Sequence, residues 1–378
     1  MNYDRILIRY GEVALKSDPV KNRFINRLVG NIQSGLDRAE VKYRIERDRG
    51  RLFVITKDIE KSIEILRKVF GIVSISPVKT TKGELEHIIK VVENLAKEYI
   101  REGETFAIRA RRKGTEKVTS KMIEREAGAA VLKTVDARVD LTNPEKTIYV
   151  EVRQNKAFIF TEVIKCEGGM PLGTQGRVIG IFDGSVEAVC ACWLMMKRGC
   201  EVIPVYPDAR PYSSKKDYEV AERNASVLRE WTIGSKFYLK KLDIGKAVFL
   251  FSEECGKDLV GTLIRRMVYR CASRVAKIYK AKAIVTGETL KKGGDVESFH
   301  LGEMASDLVV LRPLIGMDRD EILKLSERIG DLEECKGVMQ ILEERFKPGG
   351  VLKEIEECEG RVDAERLVEE SISGIGKD

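Results

Sequence analysis

The sequence predicts an α/β protein in which small α+β units precede a doubly wound parallel sheet. Three observations carry this. From Val178 onward short apolar strands alternate with helical patterns, the signature of βαβ units. Before that point the strands pair locally, ending in a hairpin-like pair across Gln154-Asn155. Between the two styles lies a Gly-rich stretch, Glu167 to Gly176, that reads as a linker.

The elements follow in order. A strand at Arg5 to Tyr10 precedes a helix around Lys21 to Leu36 and strands at Val41 to Glu46 and Arg51 to Thr56, a small α+β unit over residues 1–60. Residues 61–167 give a helix near Ile59 to Val69, a strand near Ser74 to Val78, a helix from Leu85 to Arg101 and a strand at Thr105 to Ala110. A second long helix runs from Ser120 to Val135, and strands Lys146 to Arg153 and Lys156 to Lys165 close the unit. Residues 168–335 carry parallel strands at Val178 to Phe182, Glu201 to Tyr206, Lys236 to Leu242, Ala281 to Thr286 and Leu308 to Leu314. Asp318, with Glu321 three residues on, caps a helix over Arg319 to Ile329. Residues 336–378 read as a charged helical tail.

At 378 residues the chain exceeds what one core usually fills. Its 67 Lys and Arg against 60 Asp and Glu leave a net charge of +7, modest for this size but unevenly placed. Seven cations lie between Arg109 and Arg125 (Arg109, Arg111, Arg112, Lys113, Lys117, Lys121, Arg125) against Glu116 and Glu124. Arg109 and Arg111 alternate on a strand and so share a face, while Lys117, Lys121 and Arg125 recur every four residues on the following helix. Such a set neutralises phosphates and gives salt-sensitive, largely sequence-independent affinity; the competing reading is a solvated charged surface.

No apolar run is long enough to span a membrane and no signal peptide is apparent, so a cytoplasmic location is expected. The eight cysteines argue against a disulfide framework, and most read as small buried hydrophobes. No metal site is expected, and His87 and His300 read as structural or surface groups. High charge with only four Gln is a balance seen in heat-adapted proteins.

Val178 to Phe182, the junction Asp183-Gly184-Ser185 and the helical pattern Val186 to Lys197 form a strand–loop–helix. Unpaired N–H groups and the positive end of the helix dipole make such a junction an anion seat. Asp183 works against that, because its carboxylate would cap the helix, worth ~1 kcal/mol. It would also repel an arriving phosphate by ~4 kcal/mol at ~4 Å and a surface-like dielectric.

Together the segments resemble the tRNA 4-thiouridine synthetases, or tRNA sulfurtransferases. ILIRYGEVALKS (Ile6 to Ser17) is similar to the family's N-terminal ferredoxin-like domain, and the stretch Phe106 to Arg153 to its RNA-binding THUMP domain. GGMPLGTQGRVIGIF (Gly168 to Phe182), LMMKRGCEVIPVY (Leu194 to Tyr206), RRMVYR (Arg265 to Arg270), AIVTGETL (Ala283 to Leu290) and VVLRPLIGMDRDEI (Val309 to Ile322) are similar to its PP-loop ATPase domain, a fold of the adenine nucleotide alpha-hydrolase type. The resemblance implies tRNA as partner, ATP with Mg as cofactor if the loop works, a sulfur-donor protein if the chain is active, and a homodimer. It implies nucleotide contacts from Ile181, Phe182, Gly184, Ser185, Tyr206, Pro207, Arg265 and Gly287.

The chain departs from that family at its loop. Relatives read S-G-G-x-D-S where this chain has Asp183-Gly184-Ser185-Val186-Glu187-Ala188, so only the first Gly is kept. Glu187 retains a carboxylate on a longer arm and is the candidate for the loop's catalytic acid, with Cys335 a candidate for sulfur chemistry beside Cys255. Gly261 to Ile264 replaces the C-x-x-C of iron-sulfur-binding relatives, so no cluster is expected. Three readings follow: an enzyme that adenylylates and thiolates a tRNA uridine, a tRNA-binding paralogue with a degenerate ATP site, and a PP-loop protein turned to another small substrate.

Overall fold

The computed structural model describes residues 3–12, 17–48, 50–113, 118–290, 295–346 and 349–376, with the backbone alone at Lys113. They form two compact units, one of residues 1–22 and 32–168, the other of residues 23–31 and 169–378.

The first unit contains β1 (Arg5–Tyr10), the two ends of α1 (Asp18–Arg38), whose residues 23–31 count with the other unit, β2 (Tyr43–Asp48), β3 (Arg51–Thr56), α2 (Ile59–Arg67), β4 (Ile72–Lys82), α3 (Leu85–Tyr99), β5 (Thr105–Lys113), α4 (Ser120–Thr134), β6 (Arg138–Val139), β7 (Lys146–Arg153), β8 (Lys156–Phe160) and β9 (Ile164–Lys165). The strands form one sheet in the order β2-β3-β1-β4-β8-β7-β5-β6, with β9 beside β4. β4 is long enough to serve two neighbours. Its first half pairs β1 and β9, and its second half pairs β8.

One face of β5, β7 and β8 is apolar. Ile108, Ile148, Val150, Val152 and Ile159 pack there against Ile88, Val92 and Leu95 of α3 and Ile123, Ala127 and Val131 of α4. Alternation sends Arg109, Arg111, Glu151 and Arg153 to the other face. On that side Leu7, Phe53, Val78, Phe158 and Phe160 make a small separate core, in which Phe53 and Phe158 stack at 4.5 Å. The single strand expected over Lys156 to Lys165 is two strands, because the chain turns at residues 161–163 and returns to the other half of β4.

The second unit contains β10 (Arg177–Ile181), α5 (Val186–Lys197), β11 (Glu201–Asp208), α6 (Lys215–Arg229), β12 (Lys240–Asp243), α7 (Gly245–Glu254), α8 (Val260–Tyr279), β13 (Ala283–Val285), α9 (Val296–Glu303), β14 (Val309–Leu311), α10 (Arg319–Ile329), α11 (Val338–Arg345), α12 (Leu352–Arg361) and α13 (Ala364–Ser371). Its five strands are all parallel, in the order β12-β11-β10-β13-β14. Strand order reverses between β10 and β13, and ligands bind open α/β sheets at that point, beyond the carboxyl ends of the strands. Ile179 and Ile181 pack on the α8 side. Gly180 faces α5, where a Cβ would come within 2.7 Å of Cys192 Sγ and Val202 Cγ1, so only glycine allows the helix this close.

Three expectations are corrected here. The strand expected from Lys236 begins at Lys240, because Phe237 instead turns inward and sets its ring edge against Phe182 at 5.7 Å. The charged tail is part of the core, with Val338, Leu342, Ile355, Leu367 and Val368 buried against the α8 cluster. Folding the tail back also brings Cys358 to Cys255, and the two form a disulfide across 103 residues of sequence. The other six cysteines are free thiols. The capping box at Asp318 and Glu321 is present as expected.

Candidate functional site

The loop after β10 lies at the switch point. Gly184 adopts φ +95°, which glycine tolerates and other residues rarely do. The cap of α5 is Ser185 and not the expected Asp183: Ser185 Oγ accepts from Ala188 N–H at 3.2 Å. Asp183 turns inward, 8 % exposed, and its Oδ1 accepts from Ser185 N–H at 3.1 Å and from the Ser185 hydroxyl at 2.6 Å. The start of α11 approaches from the other side. Val338 N–H donates to the Asp183 backbone carbonyl at 3.1 Å, Met339 N–H adds to the carboxylate, and a Cβ at Gly337 would overlap that carboxylate. Burial raises the Asp183 carboxyl above its ordinary range against the pull of the Ser185 hydrogen bonds, and Glu187 adds to the rise. The chain's own side chain thus takes the backbone donors that an incoming phosphate would use.

Beside the loop is a cavity of about 140 Å³, small against the roughly 300 to 1,000 Å³ of ordinary ligand pockets. Of the residues expected there, Ile181, Ser185, Glu187, Arg265 and Gly287 line it. Gly287 is pressed so closely on the loop that a Cβ would sit 2.6 Å from Ala188 N. Phe182, Gly184, Tyr206 and Pro207 do not line it. Phe182 and Tyr206 are fully buried, the latter edge-on to Tyr218 at 5.1 Å.

Arg265 is 1 % exposed and meets three partners. It donates to Ser298 O at 3.0 Å, pairs with Glu288 at 3.1 Å and meets the Glu343 carboxylate. Glu288 in turn accepts from the Tyr269 hydroxyl at 2.7 Å and from Arg312 Nε at 2.9 Å. The cavity therefore presents Asp183, Glu187, Glu288 and Glu343 around one paired arginine. Glu288 was visible in the TGE segment. Glu343 carried no sequence signal, since it comes from the stretch read as tail.

Cys335 lies on the far side of the loop, in a cleft that it shares with Glu187. Its thiol donates to Gly184 O at 3.2 Å, and burial pushes its pKa up to about 12. A raised pKa works against the thiolate, the nucleophilic form of a cysteine. Among the described residues no group of three or more His, Cys, Asp or Glu is arranged to hold a metal ion, and no helix is long and apolar enough to cross a membrane.

The expected basic surface is divided. Arg109 and Arg111 are exposed on the helix-free side of β5, whereas Lys121 and Arg125 stand on α4, which packs against the opposite side. One continuous face is thus corrected to two. Arg112 points to the α4 side and its guanidinium binds the Val118 carbonyl; Arg109 reaches the Leu141 carbonyl. Glu124 accepts from Ala110 N–H at 2.9 Å, and Arg125 pairs with Glu126 at 2.7 Å. Lys117 and the side chain of Lys113 lie outside the described residues.

Sequence reading missed a second basic group beside Arg111. Glu151, its register partner on β7, accepts from Arg153 Nε at 2.7 Å and lies 3.2 Å from Arg51 and 3.7 Å from Arg9. These arginines come from β1, β3 and β7. No spacing in the sequence could have joined them.

Comparison with known proteins gives three family matches: the ThiI ferredoxin-like domain at residues 5–76, the THUMP domain at 82–162 and the thiamine biosynthesis protein ThiI at 173–339. The chain is 37 % identical to a probable tRNA sulfurtransferase of Methanobrevibacter smithii, covering 89 % of each. It is 38 % identical to one of Methanosarcina acetivorans, over 86 % of this chain and 81 % of that protein. Among solved structures it is similar to a 4-thiouridine synthetase in complex with RNA and with bound ATP, at 26 % identity and TM-score 0.85 over 98 % of both chains.

Proposed function

The chain belongs to the tRNA sulfurtransferase family, and from that premise we propose that it is a tRNA-binding member working in the thiolation of tRNA uridine to 4-thiouridine. The observation that carries the binding reading is the cationic surface of the first unit. Arg109, Arg111, Lys121 and Arg125 are all exposed within the THUMP match, and of the α4 acids beside them Glu124 accepts from a backbone N–H while Glu126 pairs with Arg125. Phosphate neutralisation by such groups gives affinity that falls with salt.

For the family's reaction the natural companions are ATP with Mg²⁺, a sulfur-donor protein, a cytoplasmic location and a homodimer. The domains run 1–60, 61–167, 168–335 and 336–378 in this reading, the last serving as a helical closure on α8. A second reading, a binder that no longer adenylylates, is favoured by one observation: the Asp183 carboxyl already holds the Ser185 and Met339 donors.

One assay separates the two. Purified protein is incubated with tRNA and ATP, and AMP release and 4-thiouridine are measured alongside tRNA binding. Binding with AMP release and 4-thiouridine establishes the enzyme. Binding without either establishes the second reading, and absence of binding removes both.

A further inference from the structure

The tail that folds back on α8 is tied down at both ends. At its near end Val338 N–H donates to the Asp183 carbonyl at 3.1 Å, Glu343 meets the Arg265 guanidinium, and a Cβ at Gly337 would overlap the Asp183 carboxylate. At its far end Cys358 is bonded to Cys255, and Arg361 donates to the carbonyl of Glu254, the residue before Cys255, at 2.7 Å. Between the two, the Thr262 hydroxyl donates to Gly349 O at 2.8 Å and accepts from Gly349 N–H at 2.9 Å. Arg266, next to Arg265 on α8, grips Glu359 at 2.7 and 2.9 Å. Adjacent arginines of one helix thus hold α11 through Glu343 and α12 through Glu359, the neighbour of Cys358.

α11 has eight residues, too few to hold a helix unaided in water. Its Val338 and Leu342 pack in the same core cluster as Ile355 and Cys358, so its seat over the loop depends on the ties that follow it. The disulfide is the covalent one among them. A bond across 103 residues of sequence restricts a partly opened chain more than any hydrogen bond does. Access to it is one-sided: Cys358 is 2 % exposed, whereas Cys255 is half-buried at the end of α7.

We propose that Cys255–Cys358 is a redox latch: oxidised, it holds α11 over the loop after β10, and reduced, it lets α11 lift from Asp183 and Arg265. The reductant is a dithiol. Its thiolate attacks the Cys255 sulfur and Cys358 departs as a thiolate; the second thiolate of the reductant then displaces Cys255. Two electrons and two protons pass to the two cysteines, and the dithiol becomes a disulfide. Leu367 and Val368 of α13 remain in the core, so reduction loosens the tail without unfolding it. With α11 lifted, Arg265 loses Glu343 and keeps Glu288, and Asp183 loses the Met339 N–H. The cavity then faces an anion with one carboxylate fewer. This device is independent of whether the first unit binds tRNA.

The test is hydrogen exchange read by mass spectrometry on the full chain, first incubated with oxidised glutathione and then kept with or without dithiothreitol. Cys358→Ser serves as a chain that cannot latch. Without the bond, residues 338–345 and 352–361 are expected to exchange about tenfold faster, while α3 and α4 of the first unit stay unchanged. Cys358→Ser should match the reduced wild type and no longer respond to dithiothreitol. Faster exchange at 352–361 with 338–345 unchanged makes the bond a local staple and overturns the latch. Equal acceleration in α3 and α4 shows general loosening and overturns it too, as do free Cys255 and Cys358 thiols in peptide maps after oxidised glutathione. If Cys358→Ser does not fold, the dithiothreitol series on the wild type decides alone.

Discussion

Two arginine clusters, one in each unit, use the same chemistry to opposite ends. Around Glu151 the guanidiniums of Arg9, Arg51 and Arg153 share one carboxylate and keep 11 % to 24 % exposure. Around Arg265 the count is reversed: Glu288 and Glu343 enclose one fully buried guanidinium, and Arg312 completes the set by pairing with Glu288 and Glu303. A buried cluster in which each guanidinium is held by carboxylates is a structural element, since removing Arg265 strands Glu343. A half-buried cluster keeps part of its charge within reach of solvent. The difference teaches that burial, more than the number of arginines, sets how much of a cluster's charge stays open to solvent.

The comparison breaks most visibly at Arg265. Arg265→Ala leaves the buried Glu343 carboxylate without its partner, while Glu288 keeps Arg312 and Tyr269, and the expected loss is about 3–5 kcal/mol of stability by denaturant unfolding. A loss under ~1 kcal/mol would mean that the cluster is not structural. Next in size is Asp183→Ser, which frees the Ser185 N–H group and removes an anion; ATP affinity by titration is expected to rise at least about tenfold, or ~1.4 kcal/mol. Flat or falling affinity would show that the carboxyl is not what closes the seat.

A smaller effect sharpens the other side. Burial tends to raise the Glu151 carboxyl, but the Arg153 hydrogen bond with the charges of Arg51, Arg153 and Arg9 reverses this and holds it below the ordinary range. A depressed carboxylate contributes stability above its unfolded pKa, ~4.3, and that contribution is lost as pH falls through the folded value. Melts should therefore drop as pH goes below ~4.3, and Glu151→Gln should flatten that drop. Smallest of all is Arg125→Ala. Its pair with Glu126 is exposed, and stability should stay within about 0.5 kcal/mol while tRNA binding weakens at low salt.

Much of the architecture was legible beforehand. Strands β1, β10 and β11 and the helices α3, α4 and α10 declared themselves through period and caps, and the change from paired to alternating elements marked the two units. The strand at Lys236 was misjudged because an apolar run cannot say whether Phe237 extends along the sheet or turns into the core. In the loop, sequence showed that Asp183 was the anomalous residue but not what it does, which depends on α11 arriving from more than 150 residues away.

By itself the sequence determined the family, the order of strand and helix, the altered loop and the local surplus of cations, because each is written in neighbouring residues through propensity, spacing or likeness. Only the tertiary structure decided which charges are free. It drew Glu343 to Arg265, Gly337 to Asp183, Cys358 to Cys255 and three strands' arginines to Glu151. Electrostatic interaction depends on distance in space and on burial, and neither is a property of a residue's place in the chain.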